Sequence, residues 1–203
     1  MSTSSFFATL NRLRWIKRWG LKRNVVEENV MEHSWQVATI AHALALLHNE
    51  LNDDQVNPEQ VAVLGLYHDV SEVITGDMPT PIKYHSATIT QAYKAIEAEA
   101  ERDLLNTLPK DLQPHYAPLL CQHLNDNIEH QLVKYADMIS AYLKCDSEIR
   151  AGNPEFKTAF QQIEGRIRQI NSLAVQRFMQ QFVDAYSLTL DDLLNQHDQS
   201  LGL

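Results

Sequence analysis

The chain has 203 residues, 44% apolar and 21% charged, which suits one soluble globular domain and leaves too little for two. Its 17 Lys and Arg against 26 Asp and Glu give a formal net charge of −9, which argues against general nucleic-acid binding. Only 6 glycines and 7 prolines, with few β-branched runs, predict an all-α protein: a single-domain helical bundle spanning 1–203 with a frayed polar tail from about residue 195.

The longest apolar stretch, Val37 to Leu47, is interrupted by His42 and is too short to span a bilayer. No charged region followed by an apolar run and a small-residue cleavage site begins the chain. Cys121 and Cys145 lie in helix-like stretches without metal-type spacing and read as reduced thiols. The expectation is a cytoplasmic protein with no membrane and no nucleic-acid partner.

In chain order, Phe6, Leu10 and Leu13 recur at helical spacing behind Ser4 or Ser5, predicting a first helix that ends near Trp19-Gly20. Before Glu27 there is no acidic residue, while Arg12, Arg14, Lys17, Arg18, Lys22 and Arg23 all fall there. Some of these belong to a solvated face, and others form a local positive field for an anionic substrate. Asn29 and Glu32 make a capping box for a second helix running to about His48. Pro58 opens a third, predicted to continue through Asp69 to about Val73. Two prolines and a glycine make Thr75–Pro81 a rigid non-helical loop. A charged amphipathic helix covers about 88–107. Pro109 and Pro114 break the chain before a short helix around Cys121. A long helix is predicted from about Ile128 to Ala151, ended by Gly152-Asn153, and another from Pro154 to about Asp184.

Helical geometry selects among the titratable residues. His33 is in register with Val37, Ile40, Ala41 and Leu44, so it heads the inward stripe of its helix, whereas His42 faces away. On the third helix Val61, Leu64, Gly65, His68 and Glu72 share a stripe, with Asp69 one step round. Asp137 lies among Val133, Ala136, Ser140 and Ala141, where a carboxylate is costly unless it is paired or binds metal. A lone inward His is usually a satisfied core residue, and a lone inward Asp usually a cap or ion-pair partner. Two imidazoles and two carboxylates together suit a borderline divalent cation and leave positions open for water and substrate, as catalytic sites do. His48, His85, His115, His123, His130 and His197 are assigned no role.

The order His33, His68-Asp69, Asp137 resembles the signature of the HD-domain metal-dependent phosphohydrolases. The strings Arg18-Trp19, Asn29-Val-Met-Glu-His-Ser34, Tyr-His-Asp-Val-Ser-Glu72, Thr-Gly-Asp-Met-Pro-Thr-Pro81 and Lys-Tyr-Ala-Asp137 are similar to those of bacterial HD-domain 5′-deoxynucleotidases, from Phe6 to about Leu190. The resemblance implies an all-helical HD-type fold, a homodimer, and hydrolysis of deoxyribonucleoside 5′-monophosphates. It also implies one divalent transition metal per subunit (Co, Mn, Cu, Zn, Ni or Fe). By position it carries metal ligation to His33, His68, Asp69 and Asp137. Substrate contacts fall to Arg18, Trp19, Asp69, Asp137 and the loop Asp77, Met78, Pro79 and Thr80, and a catalytic role to Glu72. Met78 stands where Leu is expected, and Trp35 is large for its place beside His33.

In chemical terms, Glu72 serves as general base or orients the attacking water, and Arg18 binds phosphate and offsets transition-state charge. Trp19 walls the sugar or base, and Asp77 accepts from a sugar hydroxyl. Competing readings are an HD-domain phosphodiesterase or nucleoside triphosphate triphosphohydrolase, and a catalytically silent nucleotide-binding module. The first two call for a second metal or more basic residues than the chain shows. The third is disfavoured because all four ligands and Glu72 are present.

Overall fold

The Asn29 side chain accepts the Glu32 N–H while Glu32 reaches back to the Asn29 N–H, and this capping box starts the central helix α2 (Val30–Leu51). The computed structural model describes residues 3–121 and 127–201, with side chains to residue 195. Around α2 stand α1 (Phe6–Leu10), α3 (Pro58–Tyr67), α4 (Glu72–Thr75), α5 (Thr80–Lys83), α6 (Ala87–Asn106) and α7 (Gln113–Leu120). The chain continues through α8 (Ile128–Arg150), α9 (Lys157–Arg168), α10 (Leu173–Phe182) and α11 (Leu190–Leu201). The fold is all-α. Among the described residues the one extended pairing is an isolated bridge between Lys17 and Asn29, and no helix is long and apolar enough to cross a membrane.

α2 packs against α3, α8 and α10, burying Val37, Ile40, Ala41 and Leu44 against Val61, Leu64, Ala136, Ile139 and Phe178. The inward stripe predicted for α2 is therefore real. Gly65 permits the close crossing of α3 on α2: a Cβ there would meet the Ala38 Cα at 2.8 Å. A second cluster of Phe6, Val70, Leu104, Leu108 and Leu120 ties the N-terminus to α6 and α7.

Several boundaries differ from the sequence expectation. The first helix stops early: α1 passes into a 3-10 turn over Asn11–Trp15, and Ile16 is already extended. The cause is the Lys17–Asn29 bridge, which draws the chain out beside the start of α2. The residue with positive φ is Trp19 (φ 60) rather than Gly20. The third helix does not run to Val73. It ends at Tyr67 because the His68 ring donates to Gly65 O at 2.8 Å, competing for the carbonyl a continuing helix would use. The N–H groups of Val70, Glu72 and Val73 then reach back only three residues, in a tightened turn.

The Pro-rich loop is open only over 76–79, since Thr80 and Pro81 begin α5, where proline costs no hydrogen bond. Pro114 likewise lies in the first turn of α7 rather than breaking the chain there. Cys121 caps the end of that helix, and 122–126 lie outside the described residues. Gly152 ends α8 at φ 82 as expected. The helix predicted from Pro154 to Asp184 is split, because Ser172 caps α10 by accepting the Val175 N–H. The polar stretch predicted as a tail is helical over Leu190–Leu201.

Candidate active site

Three elements bring the expected ligands together. The first turn of α2 supplies His33, the tightened turn after α3 supplies His68 and Asp69, and the middle of α8 supplies Asp137. His68 Nε2 lies 3.0 Å from Asp69 Oδ2, and His33 Nε2 lies 3.6 Å from the same oxygen. His33 Nε2 is also 3.1 Å from Asp137 Oδ1. Ligand atoms of His33, His68 and Asp69 all fall within 4.8 Å of one another, close enough to share one ion, and Asp137 stands outside that group beside His33. Asp137 is less enclosed than its apolar neighbours in sequence suggest. Its side chain is 45% exposed.

The other ring nitrogens show that this donor set fits a cation. His68 Nδ1 faces a carbonyl, so it carries the proton. His33 Nδ1 lies 3.0 Å from Ser140 Oγ, whose own hydrogen goes to Gln36 Oε1 at 2.6 Å. Ser140 can therefore only accept from His33, which puts that proton on Nδ1 as well. In the neutral rings both Nε2 lone pairs then point at carboxylate oxygens, buried and without a well-directed hydrogen bond. Electron pairs facing electron pairs call for positive charge between them, which a divalent ion at this donor set would supply.

The electrostatics follow from the same crowding. Burial works against ionising Asp69, but His68, then His33 and Arg18, hold its carboxyl well below the usual range. Burial opposes ionising Asp137 too, and the adjacent His33 imidazole, with His68 beyond it, outweighs it. Burial lowers His68 and the Asp69 charge more than reverses it. Glu72 lies on the other side of the balance. Burial, with Asp69 and Asp77 nearby, pushes it up to about 10, and Arg18 and Lys83 only partly offset that. Its Oε2 is buried without a hydrogen-bond partner. Glu72 is not a surface carboxylate at a helix end: its carboxyl holds a proton at neutral pH, and a cation beside Asp69 would draw it back to the ionised form a base needs.

Arg18 donates from Nη1 to Asp69 Oδ2 at 3.3 Å and from Nε to Glu28 Oε2 at 3.0 Å. Burial lowers its pKa, but Asp69, Asp137, Glu28 and Glu72 raise it further, so the guanidinium is always charged. The Trp19 N–H donates to Asp77 Oδ2 at 3.1 Å, its indole N–H goes to Glu28 Oε2 at 3.1 Å, and its ring lies on Phe156 at 5.3 Å. Packing and site-building thus coincide at Trp19. Asp77 is raised by burial, and its bond to Trp19 joins the loop to the Arg18-Trp19 segment. Met78 and Pro79 are half-buried beside it, and Thr80 is exposed at the start of α5. Tyr93 Oη holds the base of that loop through Thr75 Oγ1 at 3.2 Å. Trp35 is 66% exposed and does not crowd His33. His42 joins no ligand cluster among the described residues.

Sequence reasoning missed Glu28, Ser140 and Gln36. Ser140, a polar residue one turn beyond Asp137 on an apolar stripe, carried a readable signal. Glu28, in an irregular segment, carried none.

Residues 5–186 match the model of a family described as 5′-deoxynucleotidase YfbR-like. A 5′-deoxynucleotidase of Photobacterium profundum is 48% identical over 193 residues, covering 95% of this chain and all of its own length. A 5′-deoxynucleotidase of Cronobacter sakazakii is 50% identical, covering 95% of this chain and 97% of itself. Among solved structures, an HD-domain phosphohydrolase of Listeria innocua superposes with TM-score 0.79 at 25% identity, covering 90% of this chain and 88% of its own. A cyanophage S-2L HD phosphohydrolase, bound to dA and one catalytic Zn2+ ion, superposes with TM-score 0.60 at 20% identity, covering 90% and 96%.

Proposed function

The chain belongs to the YfbR-like family and is a 5′-deoxynucleotidase, and on that premise we propose how its residues divide the work. It is a phosphomonoester hydrolase that converts deoxyribonucleoside 5′-monophosphates to deoxyribonucleosides and phosphate. The phosphodiesterase, triphosphohydrolase and silent-module alternatives give way to that activity.

His33, His68, Asp69 and Asp137 hold one divalent transition metal. The observation that carries this is the pair of Nδ1-protonated imidazoles aiming buried Nε2 atoms at two carboxylates. The cyanophage protein of the same fold, with its catalytic Zn2+, supports it. When bound, the metal supplies Lewis-acid polarisation of the phosphate and lowers the pKa of water. Glu72 takes the proton of the attacking water, whose oxygen bonds to phosphorus as the bond to the 5′-oxygen breaks. Arg18 clamps phosphate oxygens with its planar fork and offsets the charge that grows on them. Trp19 walls the deoxyribose or base, Asp77 accepts from a sugar hydroxyl, and Met78, Pro79 and Thr80 close the loop around it.

Two free thiols, with Cys145 pushed up to about 12 by burial, support a reducing cytoplasmic setting. Exposed Trp35 and Leu46, eleven residues apart and so on one side of α2, support a homodimer. The decisive experiment is metal-supplemented hydrolysis of paired deoxyribo- and ribonucleoside 5′-monophosphates, with 3′-monophosphates as control. The deoxy 5′-substrates should be cleaved best. Arg18→Ala should lower turnover on the order of a hundredfold or more while metal content stays intact; unchanged turnover rejects its role.

A further inference from the structure

We propose that Glu28 is the positioning residue that presets Arg18 and Trp19 for substrate, an inference that rests on the substrate role given above to Arg18. One oxygen, Glu28 Oε2, accepts from both Arg18 Nε and Trp19 Nε1, at 3.0 and 3.1 Å. Neighbouring side chains that serve different parts of a nucleotide are thereby fixed to a single point. The backbone reinforces the arrangement. Arg18 N–H donates to Glu28 O at 3.0 Å beside the Lys17–Asn29 bridge, so Glu28 is held opposite Arg18 by main chain as well as side chain. The Arg18 and Glu28 side chains are only 12% and 14% exposed, which shields the contact from water.

Two features make orientation the purpose of this contact. Glu28 occupies the Nε edge of the guanidinium and leaves Nη1 directed at Asp69, among the candidate metal ligands. Charge maintenance is already assured, because Asp69 and Asp137 both act on Arg18 more strongly than Glu28 does. A further carboxylate close to a phosphate dianion is a repulsive cost, and fixing the direction of the fork offsets it. The second feature is Trp19 itself, a bulky residue at φ 60. Its N–H is bound by Asp77, and its carbonyl accepts from Lys22 N at 2.9 Å. Glu28 anchors the edge of the indole whose face lies on Phe156, which sets the distance from phosphate clamp to sugar wall.

The test compares kcat/KM on a deoxyribonucleoside 5′-monophosphate, metal content and thermal midpoint for wild type, E28A, E28D, E28Q, R18A and R18A/E28A. E28A should lose about tenfold to a hundredfold in kcat/KM with unchanged metal content. E28Q, whose amide oxygen can still accept both donors, should recover most of that loss. E28D keeps the charge but withdraws the oxygen by one methylene, so it should resemble E28A and decides the matter if E28A does not fold. R18A/E28A should be slower than R18A by clearly less than the E28A loss, because the part that acts through Arg18 is already gone and only the hold on Trp19 remains. Wild-type rates in E28A or E28D, E28Q no better than E28A, or losses that multiply in the double variant would each overturn the assignment. If R18A is itself as fast as wild type, the substrate role of Arg18 fails first. If R18A is slow while E28A and E28D are fast, only the role of Glu28 falls.

Discussion

His33 and Asp137 stand on two long helices, whereas Arg18 and Trp19 stand on an arm, residues 16–29, with almost no regular structure. On the helices, aim is set by backbone hydrogen bonds and apolar packing that would exist without the site. On the arm it is set by side chains borrowed from elsewhere. Both Glu148 oxygens accept from the Val25 and Val26 N–H groups, at 3.0 to 3.2 Å. Asn153 Nδ2 donates to Arg23 O at 2.7 Å, Lys144 bridges Val26 O and Glu148, and Glu155 takes the Arg23 N–H at 2.7 Å. The proposed metal half therefore inherits its rigidity from the core, while the proposed substrate half depends on a few buried polar groups. The two halves should fail separately.

Breaking the metal half has the largest effect. His68→Ala removes an Nε2 ligand on a turn without emptying the core, so the fold should persist while activity falls to background. The sharper readout is unfolding with and without metal. At a thousandfold excess over Kd, wild type gains about 4 kcal/mol, and the variant should gain almost nothing. A variant still stabilised by metal to the same degree would mean that His68 is not a ligand.

The same division explains what the sequence revealed. His33 was legible because helix periodicity places a polar residue on an apolar stripe, which is costly without a purpose, whereas His68 lies just past the end of its helix and Asp137 is half exposed. The break after Tyr67 was not legible, because it depends on the His68 ring competing for Gly65 O, a tertiary detail with no periodic trace. It matters, since the tightened turn allows sequence neighbours His68 and Asp69 to point at one spot. The bend at Ile16 was hidden in the same way, as a bridge to Asn29 thirteen residues on is not a local signal. Glu28 and Glu148 read only as charges among charges, and their roles appear once their backbone partners are seen.

Breaking the substrate half at its root comes next. Glu148 is fully buried, and hydrogen bonds from Lys144, Asn153, Val25 and Val26 outweigh burial to hold its carboxyl at about 2. Glu148→Gln leaves the Lys144 ammonium without its carboxylate and should cost about 3–5 kcal/mol in chemical unfolding. Because the folded pKa lies below the ordinary carboxylate value, the pair's stabilisation is complete above about pH 5. It drains away as pH falls from there toward 2. Wild type should therefore weaken steeply across that window and Glu148→Gln much less. Parallel acid limbs in the two proteins would show that the arm is not anchored there.

The smallest effect tests the border between the halves, where a group that touches no ligand fixes the form of one. Ser140 gives its hydrogen to Gln36 and so must accept from His33 Nδ1. That acceptor keeps the His33 proton away from Nε2, the atom facing Asp137 and Asp69. In Ser140→Ala the neutral ring is free to carry its proton on Nε2 instead, drawn there by both carboxylates. Metal must then displace a proton before it binds. Affinity should weaken about 10- to 100-fold, read by competition with a chelator, while kcat at saturating metal stays near wild type because no substrate contact is lost. Loss of kcat at saturating metal with affinity unchanged would place Ser140 in the substrate half instead. Unchanged affinity and unchanged kcat together would show that the helices aim His33 without help.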